Sequence, residues 1–209
     1  MNSHTQEFSL TGSAGPLECR LDKPEHSPRG IALIAHPHPL YGGTMDNKVV
    51  QTLARAFIAV GYVCVRMNFR GVGQSGGIHD AGEGETDDMA LLHAHMASIY
   101  PDLPIALAGF SFGTFVQSQL QHRLTALGKP AQRMVLVGCA AGKWAMPTVP
   151  SDTLLIHGEQ DDTIPLSDVL DWARPQDLPV IVIPGADHFF HRKLHHIKQL
   201  VIDYWRHAP

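Results

Sequence analysis

The chain has 209 residues, of which 44% are hydrophobic and 17% charged, and its formal net charge is −4 at pH 7. These values predict a single α/β domain over residues 1–209 and argue against a basic surface for nucleic acid. The first residues, MNSHTQEFSL, lack the features of a signal peptide, and no apolar run is long enough to span a bilayer, so we expect a cytoplasmic protein that does not bind membranes.

The first predicted elements are a β-hairpin and the strands of a buried sheet. Residues 8–10 and 17–21, separated by the turn residues GSAG, are expected to pair antiparallel at a sheet edge. Six short apolar runs follow at residues 30–35, 62–67, 104–108, 134–137, 153–156 and 180–183. They are rich in Val, Ile and Leu, which is typical of parallel strands buried on both faces.

Segments with helical spacing separate these strands. They lie at residues 47–60, 85–99, 114–127 and 188–205. The alternation of strand and helix predicts right-handed crossovers and a doubly wound, mostly parallel sheet with helices on both faces. Ligands of such sheets bind beyond the carboxyl ends of the strands, so residues directly after each strand are the candidates for a functional site.

The segment FRGVGQSGG, residues 69–77, matches two catalytic patterns. Its glycines spell the GxGxxG of dinucleotide-binding folds, and Ser75 lies within a GxSxG of the kind found in serine hydrolases. The glycines lead into GIHDAGEG, and the next helical pattern begins only near Glu85. Because a phosphate-binding turn and a nucleophile turn both run directly into a helix, the sequence favours a Gly-rich loop here.

A second GxSxG, at residues 109–113, does lie between a predicted strand and a predicted helix. The apolar run PIALA precedes GFSFG, and TFVQSQLQHRL continues with helical spacing. A nucleophile elbow holds its serine in a strained turn where strand and helix approach closely, so small residues are needed at Gly109 and Gly113. Ser111 is therefore the candidate nucleophile.

Serine requires a general base, and candidate partners follow Ser111 in the chain. Asp161 and Asp162 come just after the strand in DTLLIH, and His188 comes after the strand in LPVIVIPGADHFF. The order Ser, Asp, His, with each residue at the carboxyl end of a strand, is the order found in α/β-hydrolases. The sequence thus predicts a triad of Ser111, His188 and one of the two acids.

Together these motifs resemble the α/β-hydrolase superfamily, and most closely the small, lidless bacterial serine hydrolases related to dienelactone hydrolases. The resemblance covers nearly the whole chain and rests on HPHPLYGGTMDNKVV, NFRGVGQSGG, GFSFG, HGEQDDTIP and GADHFF. It implies an α/β-hydrolase fold without a cap domain. It also implies that the loop after the fourth strand is architectural, with Asn68, Arg70 and Ser75 organising the wall of the site.

The resemblance also selects between the two adjacent acids. The family pattern HGxxDxxVP corresponds to His157 through Pro165 in this sequence and makes Asp161 the acid of the triad. Asp162 is then expected to point elsewhere, and either to cap a helix that begins near Pro165 or to tie the turn through a backbone N–H.

An oxyanion hole requires two backbone donors. The N–H of Phe112, directly after the nucleophile, is one candidate, and the loop after the third strand supplies the other. The two prolines of HPHP have no N–H, so the second donor is His38 or Leu40, and the sequence matches both choices. The side chains of His36 and His38 are expected to hold this loop.

Fourteen histidines raise the alternative of a metal site. The closely spaced pairs are His36/His38, His93/His95 and His191/His195. No HExxH motif occurs, and no carboxylate or cysteine completes a set at ligand spacing. The cysteines lie far apart among apolar residues, which predicts reduced, partly buried thiols: Cys19, Cys64 and Cys139. We therefore expect neither a metal nor a cofactor.

The predicted substrate site is open. Only GCAAGKWAMPTVPSD joins the strands at 134–137 and 153–156, which is too short for a helical cap. Residues in this connection and near the oxyanion loop are candidates for an apolar rim around an acyl or alcohol group. They are Leu40, Tyr41, Phe112, Trp144 and Met146.

The expected reaction is hydrolysis of a small-molecule carboxylic ester, or a thioester, through an acyl-enzyme on Ser111. His188 transfers the proton, and Asp161 orients and stabilises the imidazolium. Two other classes are weighed against it. One is a nucleotide-binding oxidoreductase that uses the GxGxxG, and the other is a non-catalytic binding protein of the same fold.

Overall fold

The computed structural model describes residues 5–206, so residues 1–4 and 207–209 of the predicted domain lie outside the described residues. The strands are β1 (Gln6–Gly12), β2 (Gly15–Asp22), β3 (Gly30–Ala35), β4 (Tyr62–Met67), β5 (Ile105–Phe110), β6 (Met134–Val137), β7 (Leu154–Gly158) and β8 (Val180–Ile183). The helices are α1 (Lys48–Ala59), α2 (Glu83–Ile99), α3 (Phe112–Ala126), α4 (Leu166–Ala173) and α5 (Leu194–Arg206), with 3₁₀ turns at Pro39–Tyr41 and Arg174–Gln176. No helix within the described range is long and apolar enough to cross a membrane.

The eight strands of the described residues form one sheet in the order β1-β2-β4-β3-β5-β6-β7-β8. β2 pairs antiparallel with both β1 and β4, and the strands from β3 to β8 are parallel. The predicted mostly parallel sheet and its edge hairpin are confirmed. The chain passes from β3 to β4 on one side and then back across β3 to β5, a reversal that opens a crevice at the carboxyl ends of β3 and β5.

Four strands have the bounds that the sequence predicts: β3, β4, β6 and β8. Every residue of β3, β4 and β6 is buried, as parallel strands with helices on both faces require. Two strands extend two residues past their predicted ends, since β5 continues to residue 110 and β7 to residue 158. Both extensions carry the chain towards the residues predicted to form the site.

The last helix begins later than predicted. The spacing of apolar residues predicts a helix over residues 188–205, whereas α5 starts at Leu194. Phe190 and Arg192 have φ angles of 53° and 62°, in the left-handed region that the interior of an α-helix excludes. Residues 188–193 therefore form turns, and His188 lies in a loop.

Alternate residues of the strands contribute to two cores, one on each face of the sheet. Ile31 and Leu33 of β3 pack into a core that is closed by α2, α3 and α4. Ala32 and Ile34 pack into a second core that is closed by α1 and α5. Because successive side chains of a strand point to opposite faces, an unbroken apolar run serves both cores. The predicted helices on both faces are confirmed.

The three cysteines are free and buried, in agreement with the expected reduced thiols: Cys19, Cys64 and Cys139. Burial raises the pKa of the Cys19 and Cys139 thiols to about 12. Since the thiolate is the reactive form, these side chains behave as packing residues rather than nucleophiles.

Candidate active site

Ser111 is the single residue between β5 and α3. Its backbone has φ 54° and ψ −125°, a conformation that few residues with a side chain adopt. The neighbouring glycines permit this turn. A Cβ on Gly109 would lie 2.5 Å from the Gly113 carbonyl oxygen, and a Cβ on Gly113 would lie 2.5 Å from the Ala35 carbonyl oxygen of β3. Both obstructing atoms belong to the backbone, so larger residues are excluded at both positions.

Three side chains from separate loops form a continuous chain of hydrogen bonds. Oγ of Ser111 lies 2.9 Å from Nε2 of His188, and Nδ1 of His188 lies 2.7 Å from Oδ2 of Asp161. Ser111 follows β5, Asp161 follows β7 and His188 follows β8, so the carboxyl ends of parallel strands bring them together. All three residues are buried. A carboxylate that accepts the Nδ1–H of a neutral imidazole leaves Nε2 free to accept the serine proton.

The second carboxylate oxygen of Asp161 holds the loop that carries it. Oδ1 accepts the N–H of Thr163 at 3.0 Å and the N–H of Ile164 at 2.8 Å. His157 is buried in β7, and its Nε2 donates to the Ile164 carbonyl at 2.9 Å. The same nitrogen lies 3.5 Å from Oδ2 of Asp161. Burial lowers the pKa of His157. His157 is therefore neutral at pH 7, and it supports the loop without competing for the charge of Asp161.

Asp162 differs from its sequence prediction, which has it cap α4 or tie the turn. The first turn of α4 follows Pro165 and has no side-chain cap. The N–H groups of the turn are bonded to Asp161 instead. Asp162 is exposed, lies 3.4 Å from the Thr163 hydroxyl and lines the cleft that contains Ser111. The prediction is wrong because Asp161 already occupies both donors of the turn.

Phe112 and His38, the two residues whose N–H groups are candidate oxyanion donors, both line this cleft, and neither N–H has a hydrogen-bond partner among residues 5–206. Phe112 is the first residue of α3, where the helix dipole is positive. The Leu40 N–H instead donates to Nδ1 of His38 at 3.2 Å within the 3₁₀ turn. Of the two donors that the sequence leaves open, this geometry favours His38 over Leu40.

The imidazole of His36 supports the loop after β3 through two hydrogen bonds. Nε2 of His36 accepts the Phe69 N–H at 2.9 Å, and Nδ1 lies 2.6 Å from the Pro37 carbonyl oxygen. Burial lowers the pKa of His36 to about 4. A neutral ring with its proton on Nδ1 satisfies both contacts. His36 therefore joins the loop after β3 to the loop after β4, in agreement with its expected structural role.

Ser75, in the first GxSxG, is bonded within the wall of the site. Its Oγ donates to the Asn68 carbonyl at 2.7 Å and accepts a backbone N–H of β2 at 2.9 Å. Arg70 forms two hydrogen bonds, of 2.8 and 2.9 Å, with Asp88 of α2. The loop thus ties β2 and α2 together. It does not run into a helix as a dinucleotide-binding turn would, because α2 begins only at residue 83.

A cleft of about 640 Å³ opens beside Ser111 and His188. Tyr41, Phe112 and Trp144 of the predicted rim line it. Residues 138–153, which connect β6 with β7, contain no helix. The cleft is therefore not covered by a cap from this connection.

Two predicted rim residues, Leu40 and Met146, do not line the cleft among the described residues. Leu40 is 71% exposed at the 3₁₀ turn, where its N–H donates to Nδ1 of His38. Met146 packs within the connection, where its sulfur lies 3.5 Å from the Cys139 thiol and its carbonyl accepts the indole N–H of Trp172. In the structure neither side chain lines the cleft, because chain proximity to the site does not determine which way a side chain points.

Lys143 and Phe189 are among the side chains that line the cleft and that the sequence analysis missed. Phe189 directly follows His188, and its ring centroid lies 5.2 Å from that of the imidazole. Its position next to the candidate base is a signal that sequence reasoning had available. Lys143 offers no comparable signal, because the course of residues 138–153 is set by tertiary contacts.

The sequence analysis also missed a pair of side chains next to His38 and Phe112, the partly buried His79 and the buried Glu85. Nδ1 of His79 lies 2.8 Å from Oε1 of Glu85, and the Glu85 carboxylate accepts two backbone N–H groups at the start of α2. Glu85 is fully buried. The His79 ring lies 4.6 Å from the ring of His38 and 5.3 Å from that of Phe112. One anchored imidazole therefore packs against both candidate oxyanion residues, His38 and Phe112.

Among the described residues, no group of three or more His, Cys, Asp or Glu side chains is arranged to hold a metal ion. Three histidines of the closely spaced pairs have other partners. His36 and His38 bond to the backbone of their own loop, and Nδ1 of His191 lies 2.5 Å from the Asp187 carboxylate.

Comparisons with known proteins show the family of this chain. Residues 26–156 match the family model described as serine aminopeptidase, S33. An uncharacterized protein of Rickettsia prowazekii (strain Madrid E) is 31% identical over 212 residues, which cover 95% of this chain and 87% of that protein.

Two solved structures are similar over nearly their whole length. An α/β serine hydrolase without a lid from Xanthomonas campestris is 33% identical, with a TM-score of 0.90, over 99% of this chain and 95% of that one. An α/β serine hydrolase homologue from Coxiella burnetii is 33% identical, with a TM-score of 0.83, over 97% of each chain. These similarities confirm the resemblance inferred from the motifs.

Proposed function

The chain belongs to the serine aminopeptidase S33 family of α/β serine hydrolases, and we propose that it hydrolyses carboxylic esters, or thioesters, of small molecules through an acyl-enzyme on Ser111. The observation that carries the proposal is the chain of hydrogen bonds from Ser111 through His188 to Asp161. A serine hydroxyl becomes an effective nucleophile at neutral pH only with such a base, and the base needs an acid that fixes its tautomer.

In the first step, Oγ of Ser111 attacks the carbonyl carbon of the substrate while its proton passes to Nε2 of His188. Asp161 stabilises the resulting imidazolium through the 2.7 Å contact with Nδ1, and it does not itself take the proton. Because all three residues are buried, these electrostatic interactions act at a lower effective dielectric constant than they would in water.

Negative charge develops on the carbonyl oxygen as the tetrahedral intermediate forms. In this proposal the N–H groups of Phe112 and His38 receive that oxygen, since both lack other partners within residues 5–206. Donors that are oriented before the reaction stabilise the developing charge without reorganisation, and each is typically worth about 10²–10³ in kcat.

The intermediate collapses when His188 returns its proton to the leaving alcohol or thiol, which leaves the acyl group esterified to Ser111. Water then attacks the acyl carbon while His188 accepts a proton from it. A second collapse releases the carboxylic acid and restores the Ser111 hydroxyl. Every proton in this cycle passes through one imidazole nitrogen, Nε2 of His188.

Labelling with a fluorophosphonate probe, together with hydrolysis of 4-nitrophenyl acetate, tests this proposal. The wild type should react in both assays, Ser111→Ala in neither, and Ser75→Ala should still be labelled because Ser75 lies outside the triad. A folded wild type that is inert in both assays would favour the non-catalytic binding protein. Saturable binding of NAD(P)H would favour the oxidoreductase.

A second candidate is the release of amino acids from substrates with a free amino group, which the family description suggests. Asp162 favours it, because this carboxylate lines the cleft and forms no ion pair within residues 5–206. A substrate ammonium would find complementary charge there. The test compares aminoacyl 4-nitroanilides with their N-acetylated forms. A preference for the free amine that Asp162→Asn removes would support this activity, and equal rates would reject it.

A further inference from the structure

The cleft beside Ser111 is rich in aromatic rings. Tyr41, Phe112, Trp144 and Phe189 are four of the sixteen residues that line it, whereas Phe, Trp and Tyr make up 7% of the chain. Tyr41 is 87% exposed and Phe189 is 49% exposed, so these two rings meet solvent and do not fill a core. The cleft therefore presents aromatic surface that a ligand can cover.

Trp144 and the aromatic rings packed around it form one wall of the cleft. The indole of Trp144 stacks on the Phe115 ring, with 5.1 Å between centroids and 25° between planes, and lies 4.9 Å from the Phe112 ring. Phe112 and Phe115 are buried in the first turn of α3. The ring of His38 lies 4.9 Å from that of Phe112. Buried neighbours thus hold the indole in place while Trp144 remains partly exposed to the cleft.

The proposed chemistry assigns each side of the cleft to one half of the substrate. His188 must reach the leaving oxygen to protonate it, so the alcohol half lies beside His188 and its neighbour Phe189. The carbonyl oxygen lies at the N–H groups of Phe112 and His38. The acyl half then extends past these residues towards the indole of Trp144.

We propose that the preferred substrates carry an aromatic acyl group, of the arylalkanoate or arylalkenoate class, whose ring lies against Trp144. This inference rests on the proposed ester hydrolysis. Offset and edge-on contacts between rings add attraction beyond the burial of apolar area, whereas a saturated ring of the same size buries similar area without that attraction. A cleft of about 640 Å³ has room for a phenyl group and a short linker.

The test compares 4-nitrophenyl 3-phenylpropanoate with 4-nitrophenyl 3-cyclohexylpropanoate, which share their leaving group and linker. We expect kcat/KM of the wild type to be about three- to tenfold higher for the phenyl ester, the range of one added ring contact. Trp144→Leu should bring the ratio to about one, and Trp144→Tyr should retain part of it. Phe189→Leu is the matched control, because Phe189 faces the shared leaving group and its loss should preserve the ratio.

Equal kcat/KM values for the two esters in the wild type would overturn the inference, and so would a preference that survives in Trp144→Leu. The wild-type ratio decides the matter even if Trp144→Leu does not fold. Hydrolysis of 4-nitrophenyl acetate separates the two levels of the proposal. If the acetate is hydrolysed without a phenyl preference, only the aromatic inference fails. If no ester is hydrolysed, the ester hydrolase proposal fails with it.

Discussion

Replacing Asp161 with Asn changes one atom of the proposed triad and leaves its shape intact. Oδ1 of Asp161 accepts two backbone N–H groups, from Thr163 and Ile164. Those two donors require an acceptor, so the amide of the variant keeps its oxygen at the turn. Its Nδ2 then faces Nδ1 of His188, where the wild type has a carboxylate oxygen at 2.7 Å.

The consequence for catalysis follows from which nitrogen of His188 carries the proton. An amide nitrogen donates, so Nδ1 must become the acceptor and the proton moves to Nε2. The lone pair that faces Oγ of Ser111 at 2.9 Å is then lost. The equivalent change in a serine protease lowers kcat by about 10⁴, which corresponds to about 5.4 kcal/mol at 1.36 kcal/mol per tenfold. We expect a loss of the same order here.

The assay measures 4-nitrophenyl acetate turnover and melting temperature for Asp161→Asn and for Asp162→Asn. Asp161→Asn should lose activity while it remains folded, because the amide oxygen still serves the turn. Asp162→Asn is the matched control. Asp162 is exposed and accepts no backbone N–H among the described residues. Its replacement should therefore change the activation free energy of turnover and the free energy of unfolding by no more than about 0.5 kcal/mol each.

Two results would refute this reasoning. A folded Asp161→Asn protein that retains more than about a tenth of wild-type turnover would show that the tautomer of His188 does not limit the reaction. A larger loss of turnover in Asp162→Asn than in Asp161→Asn would show that the neighbouring acid orients the imidazole.

Four further predictions follow from the same structure. Ser75→Ala removes a hydroxyl that makes two buried hydrogen bonds, so urea denaturation should show a loss of about 1–3 kcal/mol. Gly113→Ala places a Cβ 2.5 Å from the Ala35 carbonyl oxygen and should cost about 3 kcal/mol or more. The pKa of His36 is about 6.5 in the unfolded chain and about 4 in the folded chain. The free energy of unfolding is therefore at its full value above pH 6.5, and it should fall by about 3 kcal/mol as the pH drops to 4. EDTA should leave ester hydrolysis unchanged, because the proposed steps use the triad and two backbone N–H groups and require no metal ion.

Each of these predictions has a control variant or a result that would contradict it. Gly128→Ala also places a Cβ at a glycine, but in open space with φ 69°, so it should cost only the backbone strain of about 1–2 kcal/mol; a similar cost for Gly113→Ala would contradict the close approach. His36→Gln should flatten the decline in stability below pH 6.5, and an unaltered decline would assign it to other groups. If the Ser75→Ala protein were as stable as the wild type, the hydrogen bonds of Ser75 would not stabilise the wall of the site. Activity lost with EDTA and restored by zinc would indicate a metal.

The regular elements could be predicted from the sequence because local patterns determine them. The strands β3, β4, β6 and β8 are short apolar runs buried in the sheet, and their bounds match the prediction. The turn at Ser111 was predictable because its two glycines form a motif that lies between a predicted strand and a predicted helix. The start of α5 was missed because the apolar spacing of residues 188–193 fits a helix as well as the turn that the left-handed φ of Phe190 and Arg192 produces.

The order of the motifs was sufficient to choose Ser111 and His188 as candidates, and the family resemblance selected Asp161 over Asp162. The structure brings Ser111, His188 and Asp161 together. Their catalytic roles stay predictions until the variants are measured. Tertiary structure decided three side-chain positions. These are the exposure of Leu40, the packing of Met146 within its own connection and the place of Asp162 in the cleft. Tertiary structure also decided the packing of His79 against His38 and Phe112. A local pattern in the sequence indicates how a segment forms its own backbone hydrogen bonds and buries its own apolar face. The direction of a loop side chain depends on which donors and rings from distant segments already occupy the space, and only the assembled fold determines that.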